Sequence, residues 1–297
     1  MPTIRGAATN ATVAALMLAA GAGCTSSGAT ATLGAAPIPT LLRSTDLHLP
    51  LDTYLLSVSD LDRIGQARRV LTHGCMQRLG YSFPPLTPGI PTGPSTWNER
   101  RYGVTDPAMA ARYGYGLGPR DPASHPGRPD ETGANTPTTA QLRALDGSVG
   151  TVNGVPVPAG GCTGQANRHL AGGETAADVN LPQQLSSESF ARSSTDPAVT
   201  PATAAWSRCM QAAGYRYTTA LDPPGDPRWS RVPRSTQIAT ANRDVSCKRQ
   251  ANLVGIWFTV EAAYQRQLIA DHRTALALVH AAKSAQLAAA TRLVEGP

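Results

Sequence analysis

Apolar residues recur at near-helical spacing through residues 51–79, where Leu55, Val58, Leu61 and Ile64 share one side of a proline-free stretch. The pattern predicts a helix over 51–79 that Pro84 ends. Periodicity is then lost. Residues 84–161 are rich in Gly and Pro and read as a long insertion, of a length that is either functional or disordered. A short helix follows Cys162 and is broken by Gly172 and Gly173; a polar helix is predicted near 181–192. Asp196 and Pro197 introduce a further helix that carries Trp206 and Cys209. From Ser235 onward no proline occurs before Pro297, which predicts one long helix or a helical pair. Val254, Trp257, Phe258 and Leu268, with Tyr264 nearby, mark its apolar face. The Ala-rich remainder from Asp271 reads as a surface helix or as an arm projecting toward a partner.

Two seven-residue segments repeat. Cys75-Met76-Gln77-Arg78-Leu79-Gly80-Tyr81 matches Cys209-Met210-Gln211-Ala212-Ala213-Gly214-Tyr215 at five positions, and CxxQAN occurs at Cys162 and again at Cys247. Four cysteines allow three pairings. The order of the two motifs in each half selects Cys75 with Cys162 and Cys209 with Cys247 through an inferred duplication. Each bridge would contribute about 4–5 kcal/mol through loop closure. Gly80 and Gly214 suit the left-handed position after a helix, with Tyr81 or Tyr215 packing back on Met76 or Met210. The aromatic segments 81–83 and 215–217 read as short strands. The resulting expectation is a mainly α fold with small β segments. Its duplicated helix–hairpin–helix halves, about 51–180 and 195–297, are each stapled by a disulfide and pack as one domain.

The first 23 residues add an address. Arg5, an apolar run over 13–20 and the small residues Gly21, Ala22 and Gly23 ahead of Cys24 have the form of an export signal. The apolar run is too short to span a bilayer, and no later run reaches the required ~18 residues. Cleavage before Cys24 and acylation of its thiol give a lipid anchor, with 24–45 a flexible linker and 46–297 the body. Cleavage after Ala22 would instead release a secreted protein. Export makes disulfides at the other four cysteines reasonable.

The net charge of +6 comes from scattered residues, with no run of five Lys or Arg, so the footprint of a nucleic-acid binder is missing. A positive surface suits anionic wall polymers or headgroups. Recognition chemistry concentrates in 97–115, where Arg100, Arg101, Tyr102, Arg112, Tyr113 and Tyr115 combine aromatic rings with guanidinium groups; packing of this loop on its own body would use the same side chains. No GxSxG elbow, phosphate loop, Rossmann fingerprint or HExxH helix is present. His272 and His280 are two helical turns apart, too far to share a metal ion. Glu261 is a lone carboxylate in an apolar stretch, read as a satisfied helix-face residue. These features predict no cofactor, no metal and no enzyme activity.

The segments Trp206-Ser207-Arg208-Cys209-Met210 with Gly214-Tyr215, Cys247 ahead of Trp257 and Tyr264-Gln265, Arg101 to Asp106 with Tyr113-Gly114-Tyr115, and Gly160-Gly161-Cys162 resemble uncharacterised secreted proteins and lipoproteins of actinobacteria. The resemblance spans roughly 50–270. It implies envelope localisation and a two-disulfide layout, and it carries no activity. Together the readings point to a non-enzymatic binding or assembly protein, lipid-anchored outside the cell membrane and working beside an envelope complex. A wall-polymer binder is the alternative, and an envelope hydrolase ranks behind both.

Overall fold

The structure is a computed structural model that describes residues 37–83, 91–125, 137–172 and 177–295. The leader, Cys24 and most of the expected linker lie outside the described residues. The compact body spans Ile38–Pro297, and Leu41 already packs against its main core.

Among the described residues the fold is mainly helical. Helix α1 (Val58–Arg78) starts later than the apolar pattern predicts, because Ser57 and Asp60 form a capping box. Pro50–Tyr54 ahead of it is a single 3-10 turn. Helix α1 ends through its own glycine. The Gly80 N–H donates to the Gln77 carbonyl at 2.9 Å, and the Tyr81 N–H to the Met76 carbonyl at 3.1 Å, with Gly80 at φ +83°. The second CMQxxGY segment closes its helix identically. Gly214 donates to Gln211 at 2.9 Å and Tyr215 to Met210 at 3.0 Å, with Gly214 at φ +87°. Met76 and Met210 are fully buried beneath these ends.

The 84–161 insertion holds regular elements rather than an unstructured loop. Its described part carries α2 (Pro107–Tyr113), α3 (Thr139–Asp146) and a hairpin of β1 (Thr151–Val152) and β2 (Val155–Pro156). Val152 pairs with Val155 across the Asn153-Gly154 turn, and both turn residues have positive φ. The strands expected at 81–83 and 215–217 are irregular and have no ladder partners. The turn residue Asn153 instead donates to the Leu79 carbonyl at 2.9 Å and so caps α1.

Helix α4 (Gly161–Ala171), α5 (Leu181–Ser194) and α6 (Thr200–Ala212) follow. The proline-free C-terminal stretch is three helices: α7 (Arg234–Gln250), α8 (Leu253–Asp271) and α9 (Arg273–Glu295). Asn252 at φ +46° breaks the first junction and His272 the second, so a helical chain turns twice without proline. The stretch beyond Asp271, read as a surface helix or a projecting arm, lies against the body. Helix α9 folds back on α1 and α4, burying Leu276, Val279 and Ala290. Its alanines permit that close approach where long side chains would hold the helices apart.

The main core gathers Tyr102, Trp206, Met210, Leu253 and Trp257. A second cluster surrounds Cys75, Met76, Leu79, Phe83 and Cys162. Cys75 is bonded to Cys162 and Cys209 to Cys247, the pairing that the repeated motifs select. The CxxQAN motifs occupy unlike positions, the first opening α4 and the second ending α7. No described helix is long and apolar enough to cross a membrane, and the two disulfides are compatible with a place outside the cytoplasm.

Candidate functional site

The 97–115 segment is exposed at Trp97, buried over residues 102–105, exposed again at Arg112 and buried at Tyr115. Its middle runs through the core. The Arg101 guanidinium, only 12% accessible as a side chain, pairs with Glu261 of α8 and also donates to the Ser186 carbonyl at 2.7 Å. The Tyr102 hydroxyl donates to the other Glu261 oxygen at 2.8 Å, and Ser189 and Gln265 donate to the first. Glu261 is thus a fully satisfied buried carboxylate. Burial and the Glu261 charge push the Tyr102 phenol well above its ordinary value.

A second buried ion pair lies beside the first. Lys248 Nζ donates to Asp244 at 3.1 Å and to the Val104 carbonyl at 2.9 Å, while Trp206 Nε1 donates to the other Asp244 oxygen at 2.9 Å. Burial raises the Asp244 carboxyl and lowers the Lys248 ammonium, each shift opposed by the partner's charge. Tyr115 is buried with its ring 5.5 Å from that of Trp229. Arg100 donates to the Gly116 carbonyl at 2.8 Å. Of the six sequence-nominated residues, Arg101, Tyr102 and Tyr115 therefore join the insertion to the body, Arg100 braces the insertion internally, and Arg112 and Tyr113 face outward, with the Arg112 guanidinium 5.2 Å from the Tyr113 ring centre.

Tyr113 marks one wall of an open cleft of about 580 Å³, also lined by Asp121, Ser124, Trp229, Arg234 and Gln237. Local sequence places each group. The Asp106 carboxylate accepts from the Ala108 and Met109 N–H groups and Pro107 takes the first helical position, so α2 is seven residues long and delivers Tyr113 to its end. The ring then lies over Gly118, where a Cβ would come within 2.8 Å of it. Trp229 sits in the 3-10 turn Pro227–Ser230, its indole donating to the Pro223 carbonyl at 2.6 Å and fixed against Tyr115. Arg234 and Gln237 stand on the first turn of α7.

The surroundings are cationic. Arg112, Arg231 and Arg234 are exposed beside or within the lining. Arg228 bridges Asp226 and the Tyr217 hydroxyl, and this pairing holds the Asp226 carboxyl well below the usual carboxylate range. Among the described residues the lining contains one carboxylate, Asp121, whose oxygen accepts from the Leu117 N–H at 3.2 Å, and neither histidine nor cysteine. Two aromatic rings, an amide, a hydroxyl and a guanidinium suit stacking and hydrogen bonding to a hydroxylated, anionic ligand. The chain matches no family model, no curated protein and no solved structure. Geometry alone therefore carries the functional reading.

Trp229, Arg234, Gln237, Asp121 and Ser124 had no distinguishing motif in the sequence. The one available signal was a tryptophan inside an exposed Pro/Gly-rich stretch, 222–229. Among the described residues no cluster of His, Cys, Asp or Glu is arranged to hold a metal ion.

Proposed function

We propose that this is a non-enzymatic binding protein of the bacterial envelope, held outside the cytoplasmic membrane through an acylated Cys24, that takes an anionic wall polymer in the Tyr113–Trp229 cleft. The observation that carries the proposal is the convergence of Tyr113, Trp229, Arg234 and Gln237 on one open concavity. Rings stack on the apolar faces of sugars, while the guanidinium and amide hold hydroxyl and acidic oxygens. An open cleft suits a polymer that must enter and leave lengthwise. A role in assembling an envelope complex, which the helical body, the tether and the lack of a catalytic constellation also support, is the second reading; the cleft chemistry favours the polymer. The likeness of the two Gly-closed helix ends supports duplicated halves, and the sequence resemblance supports an actinobacterial envelope family.

Titration of the protein with soluble wall-glycan fragments, followed by tryptophan fluorescence and calorimetry, tests this. Saturable binding is expected, with Arg234→Gln weakening it about tenfold and Trp229→Ala abolishing the fluorescence change. Absence of binding, or binding indifferent to both substitutions, would overturn the proposal.

A further inference from the structure

A second concavity lies at the other end of the 97–115 segment and differs from the cleft in chemistry. It is a groove of about 470 Å³ between the start of α1, the Trp97 turn, the approach to α5 and the middle of α9. Leu55, Leu56, Leu61, Trp97 and Val179 line it, with the amides of Asn167, Gln183 and Gln286 among them. Three of them are unusually exposed for large apolar residues, Leu61 at 41%, Trp97 at 46% and Val179 at 44%. Exposed apolar groups converging on one concave site signal a binding surface, and the volume falls in the range of small-molecule sites. The Trp97 indole donates to the Leu56 carbonyl at 2.7 Å, so its ring forms a fixed wall.

Among the described residues the groove's lining has one ionisable group, Lys283 of α9. Its ammonium donates to the Tyr54 carbonyl at 3.1 Å and forms no ion pair among the described residues. The remaining lining is neutral. Burial lowers the ammonium's proton affinity, the mark of a cation short of water and of a counter-charge. An apolar trough with a single positive group is complementary to a molecule with an apolar body and a single negative end. From this we infer that the groove binds a free long-chain fatty acid, its chain along Leu61, Trp97 and Val179 and its carboxylate on Lys283. This inference is independent of the polymer proposal, since the two sites share no lining residue.

Equilibrium dialysis of the intact chain against dodecanoate, with dodecanol and methyl dodecanoate as uncharged counterparts, tests it. One dodecanoate per chain is expected, and the alcohol and ester should bind about tenfold more weakly. Affinity should rise about fourfold per methylene from octanoate to dodecanoate as each is removed from water. Lys283→Gln should erase the preference for the acid, whereas Val179→Asn should weaken all three ligands alike; both positions are surface-accessible, and unchanged thermal melting checks the fold. No bound dodecanoate, equal affinity for acid and alcohol, or a preference that survives Lys283→Gln would overturn the inference. Capture of a protein rather than a lipid by a photo-crosslinker at position 97 in cells would overturn it too, by showing a peptide occupant. Trp229→Ala should leave dodecanoate binding unchanged, so failure at one site is distinguishable from failure at the other.

Discussion

At the scale of single residues, Gly80 and Gly214 perform the same backbone task in different surroundings. Each holds a left-handed conformation that lets its own N–H and that of the following tyrosine close a helix. A Cβ at Gly214 would meet nothing within 4 Å, but one at Gly80 would come within 2.8 Å of the Asn153 amide nitrogen. Gly214→Ala should therefore cost only the backbone penalty, about 1–2 kcal/mol. Gly80→Ala should cost more, because Asn153 must shift and its bond to the Leu79 carbonyl with it. Urea denaturation of the two variants gives the comparison directly; equal losses would show that the Asn153 cap adds nothing. The helix-closing role was legible in the sequence because it needs only neighbours in the chain. The Asn153 contact was not, since it joins positions 74 residues apart.

At the scale of elements, the insertion was the hardest part to read. Gly and Pro hid its helices, and Arg100, Arg101, Tyr102 and Tyr115 have the composition of a binding loop. Their actual partners sit on α5, α7 and α8 or across a local turn, and Arg101 and Glu261 are 160 positions apart. Composition identifies that such a segment makes strong contacts; it does not say whether they are made inward or outward. The ion pair makes this testable. Arg101→Met leaves Glu261 buried without its cation and should cost about 3–5 kcal/mol. Adding Glu261→Met should restore stability above that of the single variant, since the stranded charge is gone. A double variant no more stable than the single one, in denaturant titration, would show that Glu261 is held by Tyr102, Ser189 and Gln265 without help from Arg101. The cleft follows the same logic in reverse: Tyr113 was legible as an aromatic beside arginines, whereas Trp229 and Arg234 lie more than a hundred residues away and only the packing of α2 on α7 brings them to it.

Across the whole molecule, neutral phenols help hold the insertion and the α6–α7 connection in place. Burial, together with neighbouring Glu261, Asp244 and Asp226, disfavours the phenolate and raises the pKa of Tyr102, Tyr115 and Tyr217; Tyr217 is pushed from 10.0 up to about 12. A folded-state value above the unfolded one contributes stability that is complete below the unfolded value and is lost as pH rises through the folded one. For Tyr217 that window is pH 10 to about 12. Denaturation midpoints should fall across it, and less steeply in Tyr217→Phe. A variant with the wild-type slope would place the alkaline sensitivity entirely on the other two phenols.

The arrangement of the bridges bears on how the chain is made. With Cys24 acylated as proposed, Cys75 and Cys162 are the first pair of free thiols along the chain and Cys209 and Cys247 the second, so neither bridge encloses a cysteine of the other. An oxidant acting on thiols in their order of emergence reaches the native connectivity directly, so maturation has no built-in need for an isomerase.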